Sequence, residues 1–237
     1  MVRDTILFDI NETILDLSPL KAKFGATFGH ESIASAWFSM LLHTSTVCVV
    51  TEVKTTFAEL AGIMLDTVAA RQGVQLTEAS RKDILGAFAN LLPHPDVKPA
   101  LQQLRSMGYR TVAFSNSSRE LLMNQIDHAG LSDLYDEIVS AEEAASFKPE
   151  AKVYQFVAER LNRAIGDLRL VATHDWDTHG AMVAGMQAAY IDRFGAPYHP
   201  LYRRPDVYAS TMGAVAEQII ARDTEGELGI GRKSYAL

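Results

Sequence analysis

The sequence predicts an α/β protein in which a parallel sheet carries helices on both faces and an all-helical cap domain is inserted after the first strand. Three observations support this prediction. Short apolar runs end abruptly in polar residues, stretches with helical periodicity separate these runs, and a long helical region follows the first run. The alternation indicates a parallel sheet, because parallel neighbours need a crossover connection between them.

The first strand is predicted at residues 5–8, where the apolar run stops at Asp9. Three more strands are expected at residues 109–114, 138–139 and 168–172, and each leads into polar residues. Because the carboxyl ends of parallel strands meet at one edge of a sheet, we expect these polar residues to lie together. Asp9 could instead cap a turn, and its own segment favours neither interpretation.

Residues 15–92 break the alternation and are predicted to form the helical cap. One helix should open at Ser18, where a serine and the following proline suit a helix start. Further helices are expected at residues 34–43, 52–73 and 77–90. The core would then comprise residues 1–14 and 93–222, and residues 223–237 would form a loosely ordered tail. A cap at this point would overhang the strand ends and exclude water.

The composition indicates a soluble globular protein. With 237 residues, 48% of them apolar, and a net charge of -7, it can bury one full core and a smaller domain. No apolar run approaches the ~20 residues that span a bilayer, so we expect no membrane contact and a cytoplasmic location. The lack of a basic cluster argues against nucleic acid. The single Cys48 is expected to be a buried thiol rather than a nucleophile.

The polar strand ends supply three candidate catalytic residues, Asp9, Lys148 and Asp177. A carboxylate can serve as a nucleophile or base, and a lysine can hold it ionised. Each also has a structural interpretation. Lys148 could be a solvated residue before a helix that begins near Pro149. Asp177 could simply stabilise a helix start, because a carboxylate there interacts favourably with the helix dipole. Four strand ends that bring such groups together indicate a site.

Four short motifs occur in order along nearly the whole chain: Asp9 with Thr13, Ser115 with Asn116, Lys148 with Pro149, and Asp177 at a helix start. This ordered set resembles the four motifs of the haloacid dehalogenase-like hydrolase superfamily. Trp176 beside Asp177, and the segment 91–101, are most similar to the type II 2-haloacid dehalogenase branch. The resemblance implies a Rossmann-like core with a helical cap, a short haloacid as small-molecule substrate, no cofactor, no metal and a possible homodimer.

The resemblance also implies roles for the candidate residues. Asp9 would form a covalent ester with the substrate, and Asp177, partnered by Lys148, would orient the water that cleaves it. The implied substrate-binding residues are Thr13, Ser115, Asn116, Tyr154, His174, Trp176 and Phe38. Among these, Asn116 would donate toward the leaving halide, and Thr13 and Ser115 would hydrogen-bond the carboxylates.

Two positions favour displacement at carbon over phosphoryl transfer. Phosphatases of this superfamily carry a second aspartate two residues after the nucleophile and another four residues before the last motif aspartate. Here these positions hold Asn11 and Thr173, which supply neither a proton donor of acid strength nor the carboxylates of a Mg²⁺ site. Halide leaves as an anion and needs no acid. The predicted reaction is therefore metal-independent hydrolysis of a 2-haloalkanoic acid.

The chain departs from the dehalogenase pattern at three places. An arginine usually follows a tryptophan in the cap, whereas here Trp37 is followed by Phe38. The usual asparagine of the fourth motif is His174, which could bind the substrate carboxylate, hydrogen-bond Asp177 or simply pack. Glu12 replaces a small residue without an evident reason. Two alternatives therefore stay open: a Mg²⁺-dependent phosphatase with altered motifs, and a non-catalytic ligand-binding relative.

Overall fold

The structure is a computed structural model that describes the backbone of residues 4–233 and the side chains of residues 4–224. Six parallel strands form a single sheet in the described part of the chain. They are β1 (Thr5–Phe8), β2 (Arg110–Ser115), β3 (Glu137–Ser140), β4 (Leu168–Ala172), β5 (Gln187–Ile191) and β6 (Val207–Ala209). Their order is β3-β2-β1-β4-β5-β6, with β1 between β2 and β4. The predicted α/β fold is confirmed.

Four cap helices lie between β1 and β2: α1 (Ser18–Phe28), α2 (Ile33–Val50), α3 (Phe57–Gln72) and α4 (Glu78–Ala89). The predicted start of the third helix at residue 52 is wrong. Thr56 caps α3 by accepting the Glu59 N–H at 3.1 Å, whereas Glu52 has a positive φ of 57° that interrupts the helical path. The second helix is also longer than predicted and ends at Val50.

Five core helices flank the sheet: α5 (Val97–Ser106), α6 (Arg119–His128), α7 (Ala151–Arg160), α8 (Asp175–Ala184) and α9 (Met212–Lys233). Successive strand residues point to opposite faces, so Ile6 and Phe8 of β1 pack with α5, α6 and α9, while Leu7 packs with α7 and α8. Both faces of the strands are therefore buried, as continuous apolar runs in a parallel sheet require.

Two predictions about the second half of the chain differ from the structure. Strands β5 and β6 are missed by the sequence analysis, because β5 is rich in alanine and β6 has three residues. The tail expected to be loose from residue 223 is helical through Lys233, since α9 is anchored by buried Met212, Val215 and Ile219. Residues 234–237 lie outside the described residues.

The cap has an aromatic core of its own. Trp37 is fully buried, its ring centroid lies 5.4 Å from that of Phe24 and 5.6 Å from that of Phe88, and its indole N–H donates to Ala61 O at 3.0 Å. Such edge-on and tilted aromatic pairs stabilise a small core beyond the area they bury. The four helices are thus held together by contacts among themselves.

Two short crossing segments, residues 14–16 and 92–94, join the cap to the core, and we call them the linker ribbon. They are hydrogen-bonded to each other, His94 N–H to Ile14 O and Asp16 N–H to Leu92 O, both at 2.9 Å. On the core side, the Arg193 guanidinium donates to Thr13 O at 3.1 and 3.3 Å. The ribbon therefore begins one residue after Thr13. The domain boundaries at residues 15 and 92 stay a prediction.

Helix α2 qualifies the expectation about membranes. Its 18 residues include no Asp, Glu, Lys or Arg and have a mean hydropathy of 1.5, so it is long and apolar enough to cross a membrane by length and composition. The chain therefore does contain an apolar run close to the ~20 residues that span a bilayer, and the expectation that it has none is wrong. The finding is weak evidence for a span, because the core helix of a soluble protein passes the same test, and α2 carries the buried Trp37 and Leu41.

Candidate active site

Asp9 lies at the centre of the carboxyl edge of the sheet. It follows β1 directly, and its backbone N–H donates to Val171 O at 3.0 Å, which continues the ladder to β4. Because β1 is flanked by β2 and β4, the polar residues that follow all three strands surround the Asp9 side chain. The sheet order therefore brings together residues that are far apart in sequence.

Lys148 lies beside Asp9 and links it to Asp177. Its ammonium donates to Asp9 Oδ1 at 3.1 Å, to Asp177 Oδ2 at 2.9 Å and to Phe114 O at 2.9 Å, so all three of its protons are used. The Lys148 N–H donates to Asn116 Oδ1 at 2.8 Å, which fixes the backbone at this point. The ammonium is almost completely buried and is held by two carboxylates.

Asp177 is positioned by helix packing. It lies in the first turn of α8, and its Oδ1 accepts from the Tyr154 hydroxyl of α7 at 2.6 Å. Helices α7 and α8 approach closely at Gly180, where an added Cβ would lie 2.7 Å from Pro149 Cβ and 2.9 Å from the Tyr154 hydroxyl. Glycine is needed there, because any side chain would push α8 away from Tyr154.

The other carboxylate oxygen of Asp9 has a separate set of partners. Asp9 Oδ2 accepts from Thr13 Oγ1 at 2.7 Å and lies 3.1 Å from His174 Nδ1, and the Thr173 N–H donates to Thr13 Oγ1 at 2.9 Å. The second ring nitrogen of His174, Nε2, lies 2.9 Å from Glu12 Oε2. Carboxylates only accept at neutral pH, so the ring donates from both nitrogens and is an imidazolium.

The Glu12 and His174 pair faces the cap. His174 stacks on Trp176 with ring centroids 5.1 Å apart, and the Phe38 ring lies 6.4 Å away. Glu12 and Phe38 line a cavity of about 140 Å³ between the linker ribbon and helices α1 and α2. Glu12 has a φ of 65°, in the left-handed region where side-chain-bearing residues are uncommon and where functional sites often hold them.

Burial and charge shift the pKa values of these groups in different directions. Burial would raise the pKa of Asp9, but the Lys148 charge and the His174 hydrogen bond outweigh it and lower that pKa well below its usual value. Burial would lower the pKa of His174, but its bonds to Asp9 and Glu12 raise it to about 10. Burial raises the pKa of Asp177, with the negative charge of Asp9 adding to the effect and Lys148 offsetting it in part.

The side chains present do not fit a Mg²⁺ ion. The Lys148 ammonium already lies between the two carboxylates that would bind the metal, and the Asn11 amide donates to Ser117 Oγ at 3.2 Å. Within residues 4–224, no three His, Cys, Asp or Glu side chains are grouped so that they could hold a metal. The two motif carboxylates at the strand ends, Asp9 and Asp177, already share the Lys148 ammonium, and Asn11 and Thr173 add no further carboxylate among the described residues.

The structure brings most of the predicted site residues together. Around Asp9 lie Lys148, Asp177, Thr13, Asn116, Tyr154 and His174, and Trp176 and Phe38 flank the His174 ring. The role expected for Ser115 is wrong in one respect. Its Oγ accepts from the Ser117 N–H at 3.2 Å and from Asn11 Nδ2 at 3.5 Å, so it supports the loop after β2 rather than a carboxylate.

Glu12 is the residue whose contact the sequence analysis misses. The residue departs from the family pattern together with His174, and that paired departure is the signal that could have connected them. A carboxylate and an imidazole that both replace neutral residues are expected to be partners when they lie at adjacent strand ends. In the structure they are 2.9 Å apart.

Comparisons with known proteins agree with this geometry. A family model described as haloacid dehalogenase-like hydrolase matches residues 3–168. The (S)-2-haloacid dehalogenase of Pseudomonas sp. (strain YL) is 24% identical over 215 residues, which cover 90% of this chain and 92% of that protein. Haloacetate dehalogenase H-2 of Moraxella sp. (strain B) is 26% identical and covers 69% of this chain and 73% of its own length.

Solved structures show the same fold. The L-2-haloacid dehalogenase from Xanthobacter autotrophicus with chloropropionic acid covalently bound superimposes with a TM-score of 0.85 at 20% identity, covering 93% of this chain and 99% of that one. Since the family model covers well over half of the sequence, the chain belongs to the haloacid dehalogenase-like hydrolases. Within that class, it is similar to the 2-haloacid dehalogenases across nearly its whole length.

Proposed function

We propose that the protein hydrolyses a short 2-haloalkanoic acid and releases halide through an ester on Asp9, without a metal ion. The observation that carries this proposal is the buried Lys148 ammonium, which contacts Asp9 and Asp177 at 3.1 and 2.9 Å. It keeps Asp9 ionised and supplies positive charge to both carboxylates. The names of the dehalogenase relatives support the substrate class, and the covalently bound neighbour supports an ester.

The first step is displacement at the carbon that bears the halogen. A bond forms between an Asp9 carboxylate oxygen and this carbon, while the carbon–halogen bond breaks and the halide leaves with the electron pair. The Lys148 backbone N–H donates to Asn116 Oδ1 and so fixes the orientation of the Asn116 side-chain amide. Asn116 Nδ2 is then left as a donor for the halide. The cavity beside Glu12 and Phe38 is the proposed way in for the substrate.

The second step is hydrolysis of the ester. Asp177, whose pKa is raised by burial, accepts a proton from a water molecule that attacks the Asp9 carboxyl carbon. Tyr154 and Lys148 hold the two oxygens of Asp177 in place. Thr173 Oγ1 is buried without a hydrogen-bond partner among the described residues, and its backbone N–H is bonded to Thr13. We assign Thr173 Oγ1 the role of holding this water.

Halide release tests the proposal directly. Chloroacetate, bromoacetate, fluoroacetate and both enantiomers of 2-chloropropionate are incubated with EDTA and wild type, Asp9→Asn or the exposed control Asp133→Asn. We expect halide from wild type and Asp133→Asn and none above background from Asp9→Asn. Phosphate release from p-nitrophenyl phosphate that depends on Mg²⁺, with no halide from any haloacid, would support a phosphatase instead.

We also propose a cytoplasmic location, a substrate partner that is a small molecule rather than nucleic acid, and a homodimer formed through the cap. Val47, Val50 and Ile63 are exposed apolar side chains on α2 and α3, and they support the dimer. Light scattering after size exclusion tests it, because a dimer has twice the chain mass of 26.1 kDa. A monomer mass at micromolar concentration would contradict it.

A further inference from the structure

Asp9 lies between two cations, and each cation has a second carboxylate of its own. Lys148 binds Asp9 Oδ1 and is paired with Asp177, while His174 binds Asp9 Oδ2 and is paired with Glu12. The first pair matches the family motifs. The second pair is made of two residues that depart from the family pattern, His174 and Glu12, and the two steps proposed above for ester formation and hydrolysis do not use it.

Ester formation changes the charges around Asp9. In the free enzyme, three carboxylates (Asp9, Asp177 and Glu12) face two cations. When Asp9 becomes an ester it loses its charge, and the two cations are then balanced by Asp177 and Glu12. Without Glu12, the largely buried His174 would have no carboxylate partner at that moment and would tend to give up its proton, since an unpaired charge is costly where water has little access.

We propose that His174 and Thr13 form an oxyanion hole for hydrolysis of the Asp9 ester, and that Glu12 keeps His174 protonated while Asp9 is esterified. The inference rests on the proposed function. Thr13 Oγ1 and His174 Nδ1 lie 2.7 and 3.1 Å from Asp9 Oδ2, within the distance at which donors stabilise a developing charge. The arrangement requires that Asp9 Oδ1 attacks the substrate and Oδ2 becomes the ester carbonyl oxygen.

The bonds and protons balance. Water oxygen bonds to the Asp9 carboxyl carbon, its proton passes to Asp177, and the carbonyl electron pair moves to Oδ2, where Thr13 and His174 donate to it. The tetrahedral intermediate collapses when the electron pair on Oδ2 re-forms the carbonyl and the bond between the Asp9 carboxyl carbon and Oδ1 breaks. Oδ1 leaves with the substrate carbon as an alkoxide, which takes the proton from Asp177, and the water oxygen takes the place of Oδ1 in the Asp9 carboxyl group. A hydroxy acid leaves, and Asp9 loses one proton to solvent and is again a carboxylate.

The surroundings hold the pair in place. Trp176 stacks on the His174 ring, and His174 occupies the N-cap position of α8, so the ring cannot turn freely. The Glu12 backbone is held by its carbonyl, which lies 3.0 Å from His94 Nε2. Glu12 has a left-handed φ of 65°, a conformation that glycine adopts more easily than glutamate. In this conformation its carboxylate lies next to His174. His174 is a catalytic residue in this scheme, and Glu12 is a positioning residue.

The test separates ester formation from ester hydrolysis. Wild type, His174→Ala, His174→Asn and Glu12→Gln are mixed with chloroacetate, quenched at intervals and examined by intact-protein mass spectrometry, while halide and glycolate are measured. The exposed His128→Asn and Glu120→Gln serve as matched controls. Asparagine retains a neutral donor and is a good N-cap residue, so His174→Asn should fold even where His174→Ala does not.

We expect His174→Ala to slow ester hydrolysis by about 10²–10³-fold, which is the effect of removing one oxyanion donor. Ester formation should change by less than about 10-fold, so the ester adduct accumulates. His174→Asn should restore part of the rate, and Glu12→Gln should slow hydrolysis by about 10-fold, also with an adduct, while both controls match wild type. Equal slowing of both steps, or no adduct in any His174 or Glu12 variant, would overturn the inference alone. Wild type that gives neither adduct nor halide would overturn the proposed function and the inference with it.

Discussion

The two sides of Asp9 differ in burial and in origin. On the Oδ1 side, the side chains of Lys148 and Asp177 are 1% and 0% exposed, and both follow strands in places that the family motifs specify. On the Oδ2 side, the side chains of His174 and Glu12 are 11% and 21% exposed, and Glu12 lines the cap cavity. The comparison indicates that Lys148 and Asp177 are part of the folded core. His174 and Glu12, in contrast, can be replaced by other residues without disturbing the sheet.

The largest expected effect comes from removing the cation of the buried side. Lys148→Met leaves Asp9 and Asp177 as neighbouring buried carboxylates without the ammonium that joins them, and should lower the free energy of unfolding by about 3–5 kcal/mol and abolish halide release. Urea denaturation at neutral pH measures the first effect. The exposed Lys152→Met should stay within about 0.5 kcal/mol of wild type. A loss for Lys148→Met as small as that of the control would show that the two sides do not differ.

A second test perturbs the packing that positions Asp177. Gly180→Ala places a Cβ against Pro149 and Tyr154 and should cost about 1–3 kcal/mol of stability, with reduced halide release because α8 moves away from Tyr154. Gly86→Ala in α4 is the matched control, since no atom lies within 4 Å of its new Cβ, and alanine favours a helix. Equal stability of the two variants would contradict the close approach of α7 and α8.

The cap-facing side should make stability depend on pH. The pKa of His174 is raised from near 6.5 to about 10 in the folded protein, so its contribution to stability is complete below pH 6.5 and is lost as the pH rises through about 10. We therefore expect the wild-type urea midpoint to fall between pH 7 and 9.5. His174→Asn should show a flatter profile over this range. Parallel profiles for the two proteins would mean that His174 is not held charged by Asp9 and Glu12.

The smallest effect on stability is expected at Thr173. Thr173→Val keeps a side chain of nearly the same shape but removes a buried hydroxyl that has no hydrogen-bond partner among the described residues. The free energy of unfolding should therefore change by less than about 0.5 kcal/mol or rise slightly. Halide release should nevertheless fall several-fold, because the water for ester hydrolysis loses a contact. Unchanged turnover would remove Thr173 from the proposed mechanism.

The sequence was sufficient for the parts of the site that follow from strand ends. Asp9, Lys148 and Asp177 could be placed together because parallel strands end at one edge, a rule that needs no knowledge of side-chain packing. The alternation of apolar runs likewise gave the sheet and the cap. Strand β5 could not be found in this way, because its alanines suit a helix as well as a strand.

The cap-facing contacts could not be predicted for a different reason. Glu12 reaches His174 from a backbone with a left-handed conformation, which local propensity disfavours for glutamate. Ser115 turns to Asn11 and Ser117 because the loop after β2 has its own polar groups to satisfy. In both cases the outcome depends on tertiary geometry that no spacing rule contains.

The linker ribbon has a consequence for how such enzymes can be recombined. Thr13, which donates to Asp9, is followed immediately by the first residue of the linker ribbon. From the core side, the Arg193 guanidinium donates to the Thr13 carbonyl. A cap from a relative that is joined within the linker ribbon, at residues 14–16 and 92–94, would therefore displace the loop that follows Asp9. Chimaeras of this protein should exchange the cap beyond the linker ribbon and retain the ribbon itself. The cap-derived specificity can then change while Thr13 keeps its position beside Asp9.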